Sequence, residues 1–146
     1  MNIDQDIRML TIRQPFASLL LNGKTIETRY RLTNYRGLVL IHTGLVSYTS
    51  VEVDIISTME QFLKIGSLYM DDKMNDNLIG HAIAIGNLID CRPMNKIDEA
   101  EAFVEHHQSL YSWVFKDVKA IVPFKIKGSQ GMNKLSLEQK KLIKFL

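Results

Sequence analysis

Cysteine is almost missing from this chain: Cys91 stands alone in 146 residues. One thiol excludes an intrachain disulfide and a cysteine cage for a metal ion. It fits a reducing compartment, so a cytoplasmic location is expected. Proline occurs three times and glycine eight, which excludes collagen-like and low-complexity architectures. No apolar run approaches the ~20 residues that a membrane helix needs. The opening Met1–Asp6, MNIDQD, is polar and acidic, unlike the basic-then-apolar start of a signal peptide. A soluble protein that does not engage the membrane is the expectation. Internal repeats are absent.

Signatures of chemistry are equally scarce. No phosphate-cradling G-x-x-x-x-G-K-[ST] loop occurs, and no G-x-S-x-G elbow. Asp71, Asp72 and Asp76 fall in a polar stretch, 70–78, that lacks the ligand order of a calcium loop. His106 and His107 are adjacent, whereas metal-binding histidines on a helix stand about four apart. No metal and no cofactor are expected.

The length points to a single domain over residues 1–146. A chain of this size buries roughly 68–70% of its unfolded surface, enough for its own core. The formal net charge is only +2, but the charges are segregated. Between residues 8 and 36, Arg8, Arg13, Lys24, Arg29, Arg31 and Arg36 face only Glu27. Between 116 and 127, Lys116, Lys119, Lys125 and Lys127 face only Asp117. The middle, 46–109, holds eleven acids against Lys64, Lys73, Arg92 and Lys96. If the two basic segments fold side by side, one face suits an anionic ligand such as nucleic acid.

The stretch Leu10–Gly44 organises the rest. A short apolar strand, Met9–Ile12, runs into Arg13 and Gln14, and Pro15 suits a first helical turn. Phe16, Leu19 and Leu20 recur at helical spacing, with Gly23 as the stop. Thr25–Arg31 reads as extended, then Gly37 precedes a second apolar strand, Leu38–Ile41, ending in His42. Thr49 and Glu52 form a capping-box pattern that opens a helix to about Lys64. Ile79–Asp90 is the clearest strand: Ile79, His81, Ile83, Ile85 and Ile89 on one face, Gly80, Ala82, Ala84 and Gly86 on the other. His81 reads as a hydrogen-bonded wall residue. After Asn95, Ile97–His107 reads as an acidic helix. Tyr111, Trp113 and Phe115 alternate on one strand face, where they either fill a core or stack on bases. Val122, Phe124 and Ile126 alternate with Lys125 and Lys127, giving an apolar inner and a basic outer face. A loop, Gly128-Ser129-Gln130-Gly131, follows. Ser136 and Gln139 form a second capping box, opening a terminal helix with Leu142, Ile143 and Leu146 available for packing.

Several of these segments together resemble the ASCH family (activating-signal-cointegrator homology) of the PUA-like barrels. Thr11-Ile12-Arg13-Gln14-Pro15-Phe16-Ala17 is similar to that family's S-I-R-Q-P-aromatic-A opening. Gly23-Lys24-Thr25-Ile26-Glu27-Thr28-Arg29 matches its G-x-K-x-x-E-x-R signature with one residue deleted. Arg36–His42 is similar to its R-G-x-x-x-I-H strand, and Ile79–Cys91 to its G-x-x-x-G-x-x-x-L-x-D-C strand. Trp113–Phe115 and Val122–Gly131 resemble its closing segments. The resemblance implies an α+β fold: a small, mostly antiparallel PUA-like β-barrel with helices packed outside. It also implies a cleft that recognises RNA or a modified nucleobase.

The residues expected to line that cleft are Arg13, Gln14, Lys24, Glu27, Arg29, Arg31, His42, Lys127 and Gln130. The cations would hold phosphates, while Lys24, Glu27 and His42 would meet a base. A Lys and an Arg keep a carboxylate between them ionised and oriented. The alternative is a hydrolase, a nucleoside amidohydrolase or ribonuclease, using Lys24, Glu27 and His42 in the same cleft by acid–base chemistry. Hydrolytic members of the resembling family carry a threonine nucleophile three residues after the signature lysine; this chain has Glu27 there. A third reading, a protein-interaction domain, would use the acidic middle. The sequence leaves turnover, the ligand's identity and the oligomeric state open.

Overall fold

A computed structural model describes residues 4–14, 16–45 and 78–146. Strand β1 (Ile7–Ile12) sends Ile7 and Met9 to one face and Leu10 and Ile12 to the other. Helix α1 (Phe16–Leu19) and the short strand β2 (Ile26–Arg29) follow. Strand β3 (Gly37–Thr43) lies parallel to β1, with Ile7 opposite Leu38 and Ile12 opposite Thr43. Parallel neighbours need a crossover between them, and residues 13–36 provide it. Strands β4 (His81–Pro93) and β5 (Tyr111–Lys125) are long and antiparallel to each other. A two-residue strand, β6 (Asn133–Lys134), pairs with β1.

The sheet order is β2-β5-β4-β3-β1-β6, and only β1–β3 is parallel. The sheet rolls strongly. Arg29, on the first strand of that order, donates from Nη1 to the carbonyl of Thr11 on the fifth, at 3.3 Å. Among the described residues no ladder joins β2 to β6. The fold is therefore α+β, with a curled sheet that no ladder among the described residues closes into the expected barrel.

Both faces of the sheet's centre are covered. The inner cluster includes Leu10, Ile12, Val39, Ile41, Leu88, Trp113 and Phe115. The outer one includes Ile7, Met9, Leu40, Ala82, Ile85 and Ile121. Trp113 and Phe115 are buried, and Tyr111 packs against them, so these aromatics fill the core. The strict alternation expected along Ile79–Asp90 breaks down: Ile83 faces the inner cluster and Ile85 the outer. A register shift in β4 between Ala82 and Ala84 accounts for this, because an extra residue reverses the phase of the side chains beyond it. Val122, expected inside, is largely exposed. His81 bonds the Ile79 carbonyl through Nδ1 at 3.0 Å.

The helices are shorter than their sequence patterns. Helix α1 lies within the roll, where Ala17 and the following Leu20 join the inner cluster. The stretch 97–107 is a 3₁₀ turn (Lys96–Asp98) continued as α2 (Glu99–Ala102). It ends at Phe103, which adopts φ 60°. Leaving the helix there lets Val104 and Leu110 turn back onto Ile26, Met94 and Ala102. Asn95 and Asp98 form a reciprocal capping box that starts the turn. Ser136 and Gln139 do the same for α3 (Leu137–Lys140). Beyond α3, Ile143 packs on the outer cluster while Leu142 and Leu146 stay exposed. The helix expected over 49–64 lies outside the described residues, as does the polar stretch up to residue 77. Among the described residues no helix is long and apolar enough to cross a membrane.

Candidate nucleic-acid interface

The turn after α1 places the signature. Gly23 takes φ 105°, a conformation that glycine adopts without a Cβ clash. The backbone N–H of Lys24 then donates to Leu19 O at 3.0 Å. This turn swings the Lys24 side chain inward, where it is wholly buried. Its Nζ lies 2.5 Å from Glu27 Oε1 and 5.4 Å from the centre of the Phe16 ring. Burial lowers the Lys24 pKa, outweighing the charge and hydrogen bond of Glu27. Arg29 Nη1 stands 3.9 Å from the other oxygen of Glu27, and its guanidinium lies 5.8 Å from the centre of the Trp113 ring. Burial likewise lowers the Arg29 pKa, against the opposing pull of Glu27. Glu27 therefore sits between an interior lysine and a half-buried arginine.

Arg29 marks where this interior pair meets the surface. A cleft of about 340 Å³ is lined by Thr11, Arg29, Arg31, Ser129, Gln130 and Gly131. Thr11, Ser129 and Gln130 also line a larger cavity of about 760 Å³, which adds His42, Lys125, Lys127 and Gly128. On its other side Arg29 shares with Thr28, Tyr30 and Arg31 a groove of about 330 Å³. The three spaces form one track through shared residues. Among the described residues, four cations, Arg29, Arg31, Lys125 and Lys127, line it, and no carboxylate does.

His42 forms the floor. Its Nε2 lies 2.8 Å from the Ile126 carbonyl, which can only accept, so Nε2 carries the proton. Nδ1 then accepts from the Thr11 hydroxyl at 3.0 Å. Burial lowers the His42 pKa, favouring this neutral form. Gly128 is pressed onto the ring: a Cβ there would lie 2.7 Å from His42 Cε1 and 3.1 Å from Thr11 Oγ1. The next residue, Ser129, has a buried hydroxyl with no hydrogen-bond partner among the described residues.

The expected site residues thus divide. Arg29, Arg31, His42, Lys127 and Gln130 line the track. Lys24 and Glu27 lie behind it, in the interior. Gln14 is buried and secures α1: its Oε1 accepts from Ser18 N at 3.0 Å and its Nε2 donates to Ser18 Oγ at 2.7 Å. Arg13 is exposed and lines none of the three spaces. Thr11, Gly128 and Ser129 line the track without having been singled out. The available signal was small: a hydroxyl in the strand before Arg13, and a glycine and a hydroxyl directly after Lys127. Among the described residues no group of three or more metal-ligating side chains occurs.

Comparison with solved structures places the fold. The chain is similar to the ASCH protein of Zymomonas mobilis, with a TM-score of 0.58 and 14% identity over 95% of this chain and 96% of that one. A tyrosine-to-phenylalanine variant of the same protein gives a TM-score of 0.57 and 14% identity over 95% and 99%. No protein-family model matches the chain, and no curated protein matches it in sequence. The chain has the ASCH fold.

Proposed function

We propose that this chain binds RNA, taking a single strand along the basic track and a base, modified or not, into the cavity above His42. The observation that carries the reading is the lining: among the described residues, four cations and no carboxylate, around a neutral, buried polar floor. Phosphates would sit on Arg29, Arg31 and Lys127, with Arg13 contributing at longer range. The Gln130 amide and the unmatched Ser129 hydroxyl offer donors and acceptors to a base edge. Lys24 and Glu27 serve the site indirectly, by holding Arg29 in place. The ASCH fold supports an RNA-binding role in general terms.

Binding is favoured over hydrolysis by how the reactive groups are engaged. Lys24 and Glu27 hold each other, and both ring nitrogens of His42 have partners. An acid–base catalyst needs one of these within reach of the proton to be moved. The test is a titration of single-stranded RNA at several salt concentrations. Affinity should fall as salt rises, because binding releases counterions. Arg31→Ala and Lys127→Ala should each reduce the salt slope by about one unit. A wild-type protein that binds no RNA at low salt overturns the reading.

A further inference from the structure

Three tyrosines fall among the described residues, and two have packing roles. Tyr35 donates its hydroxyl to the Leu38 carbonyl at 2.7 Å, and Tyr111 packs on the inner core. Tyr30 does neither: it is 76% exposed, and its hydroxyl has no hydrogen bond among the described residues. It stands just past the end of β2, at the sheet's margin, where no described strand covers the outer side. Its neighbours in the groove are Thr28, Arg29 and Arg31.

We propose that Tyr30 is a stacking platform for an unpaired RNA base, so that the track holds at least two consecutive nucleotides. This rests on the RNA-binding reading above and extends it. One base lies on the Tyr30 ring, the neighbouring base enters the His42 cavity, and the phosphates between them sit on Arg29 and Arg31. The two arginines line both the Tyr30 groove and the Gln130 cleft, so they occupy the junction such a strand must cross. The Arg31 guanidinium reaches Gly131, with Nη2 3.6 Å from where a Cβ would stand, on the Gln130 side of the junction. An exposed ring between two cations offers what a base needs: a flat apolar face with charge on either side.

The experiment compares wild type, Tyr30→Ala, Tyr30→Phe and Tyr30→Trp by affinity for a short single-stranded oligouridine and for the same oligomer lacking its bases. A side chain this exposed leaves folding intact on substitution, and a thermal melt of each variant checks that. Tyr30→Ala should weaken oligouridine binding between about fivefold and 150-fold, the range of one lost base stack. Tyr30→Phe and Tyr30→Trp should bind like wild type. Affinity for the abasic oligomer should be the same in all four proteins, and the salt slope should not change, because no phosphate contact is lost. If wild type binds oligouridine and Tyr30→Ala binds equally well, the platform is overturned while RNA binding stands. If Tyr30→Phe falls with Tyr30→Ala, a hydroxyl contact is responsible and stacking is again overturned. If wild type binds neither oligomer at low salt, both readings fall together.

Discussion

At the scale of single residues, the Lys24–Glu27 pair has the most to lose. A buried ion pair gains little net stability over apolar packing, but removing one partner strands the other charge. Lys24→Met should therefore cost about 3–5 kcal/mol, and Lys24→Met with Glu27→Leu should recover most of that. Denaturant unfolding of the single and double variants checks both outcomes. The His42 imidazole gives a second prediction. Its folded pKa lies below the ordinary 6.5 because it is buried. Between the folded pKa and 6.5 the unfolded chain binds more protons, so stability rises with pH across that window. Acidification from about 6.5 should thus lower the melting temperature, and His42→Gln should flatten that slope. Asp98 acts in a separate window: burial opposes its ionisation, but bonds from Asn95, Ser112 and Arg92 hold its pKa below 3.8. Its contribution is lost only below that range, so the two groups can be told apart. The sequence made the residue types of the signature legible but not their burial. Lys24 reads as a surface cation until the turn at Gly23 is seen to aim it inward.

At the scale of elements, the loop 128–131 depends on contact with the strands below it. Gly128 rests on His42 of β3 and Thr11 of β1, while Ile126 accepts from the same imidazole. Gly128→Ala would drive a Cβ into the ring at 2.7 Å, and overpacking of this kind typically costs about 1–3 kcal/mol. The loop must lift, carrying Ser129 and Gln130 with it. The expected result is weaker RNA binding alongside a modest drop in stability, read by titration and thermal melt. Local signals in the sequence were reliable where the chemistry is local: the capping pattern at Ser136 and Gln139 forms as read, and Gly23 takes the positive φ its position suggested, although the helix before it already ends at Leu19. They failed where a distant partner decides. The acidic helix stops at Phe103 because Val104 and Leu110 must reach the cluster around Ile26. The phase of β4 slips because its pairing with β5 contains bulges, and one strand's composition does not record that.

At the scale of the whole molecule, the basic segments do meet. Arg29 and Arg31 come from one, Lys125 and Lys127 from the other, and all four line one track. Charge segregation along the chain indicated that pairing, but its geometry follows from the sheet order. β2 reaches the opposite end of the sheet from β6 by pairing with the first half of β5. The roll then brings it back to β1. Nothing in residues 25–31 alone specifies that return, and the contact that makes it is the Arg29 side chain on the Thr11 carbonyl.

The chain holds a single tryptophan, and the roll has fixed it at an informative place. Trp113 is completely buried, its Nε1 donates to the Arg31 carbonyl at 3.0 Å, and the Arg29 guanidinium lies over its ring. The protein thus carries one intrinsic fluorophore, in contact with both arginines proposed to receive phosphate. A ligand that draws Arg29 off the indole, or shifts the backbone at Arg31, changes the electric field at the only strong emitter. Occupancy of the track should be readable as a displaced emission maximum in unlabelled protein, and Arg29→Ala should already show part of that displacement without ligand.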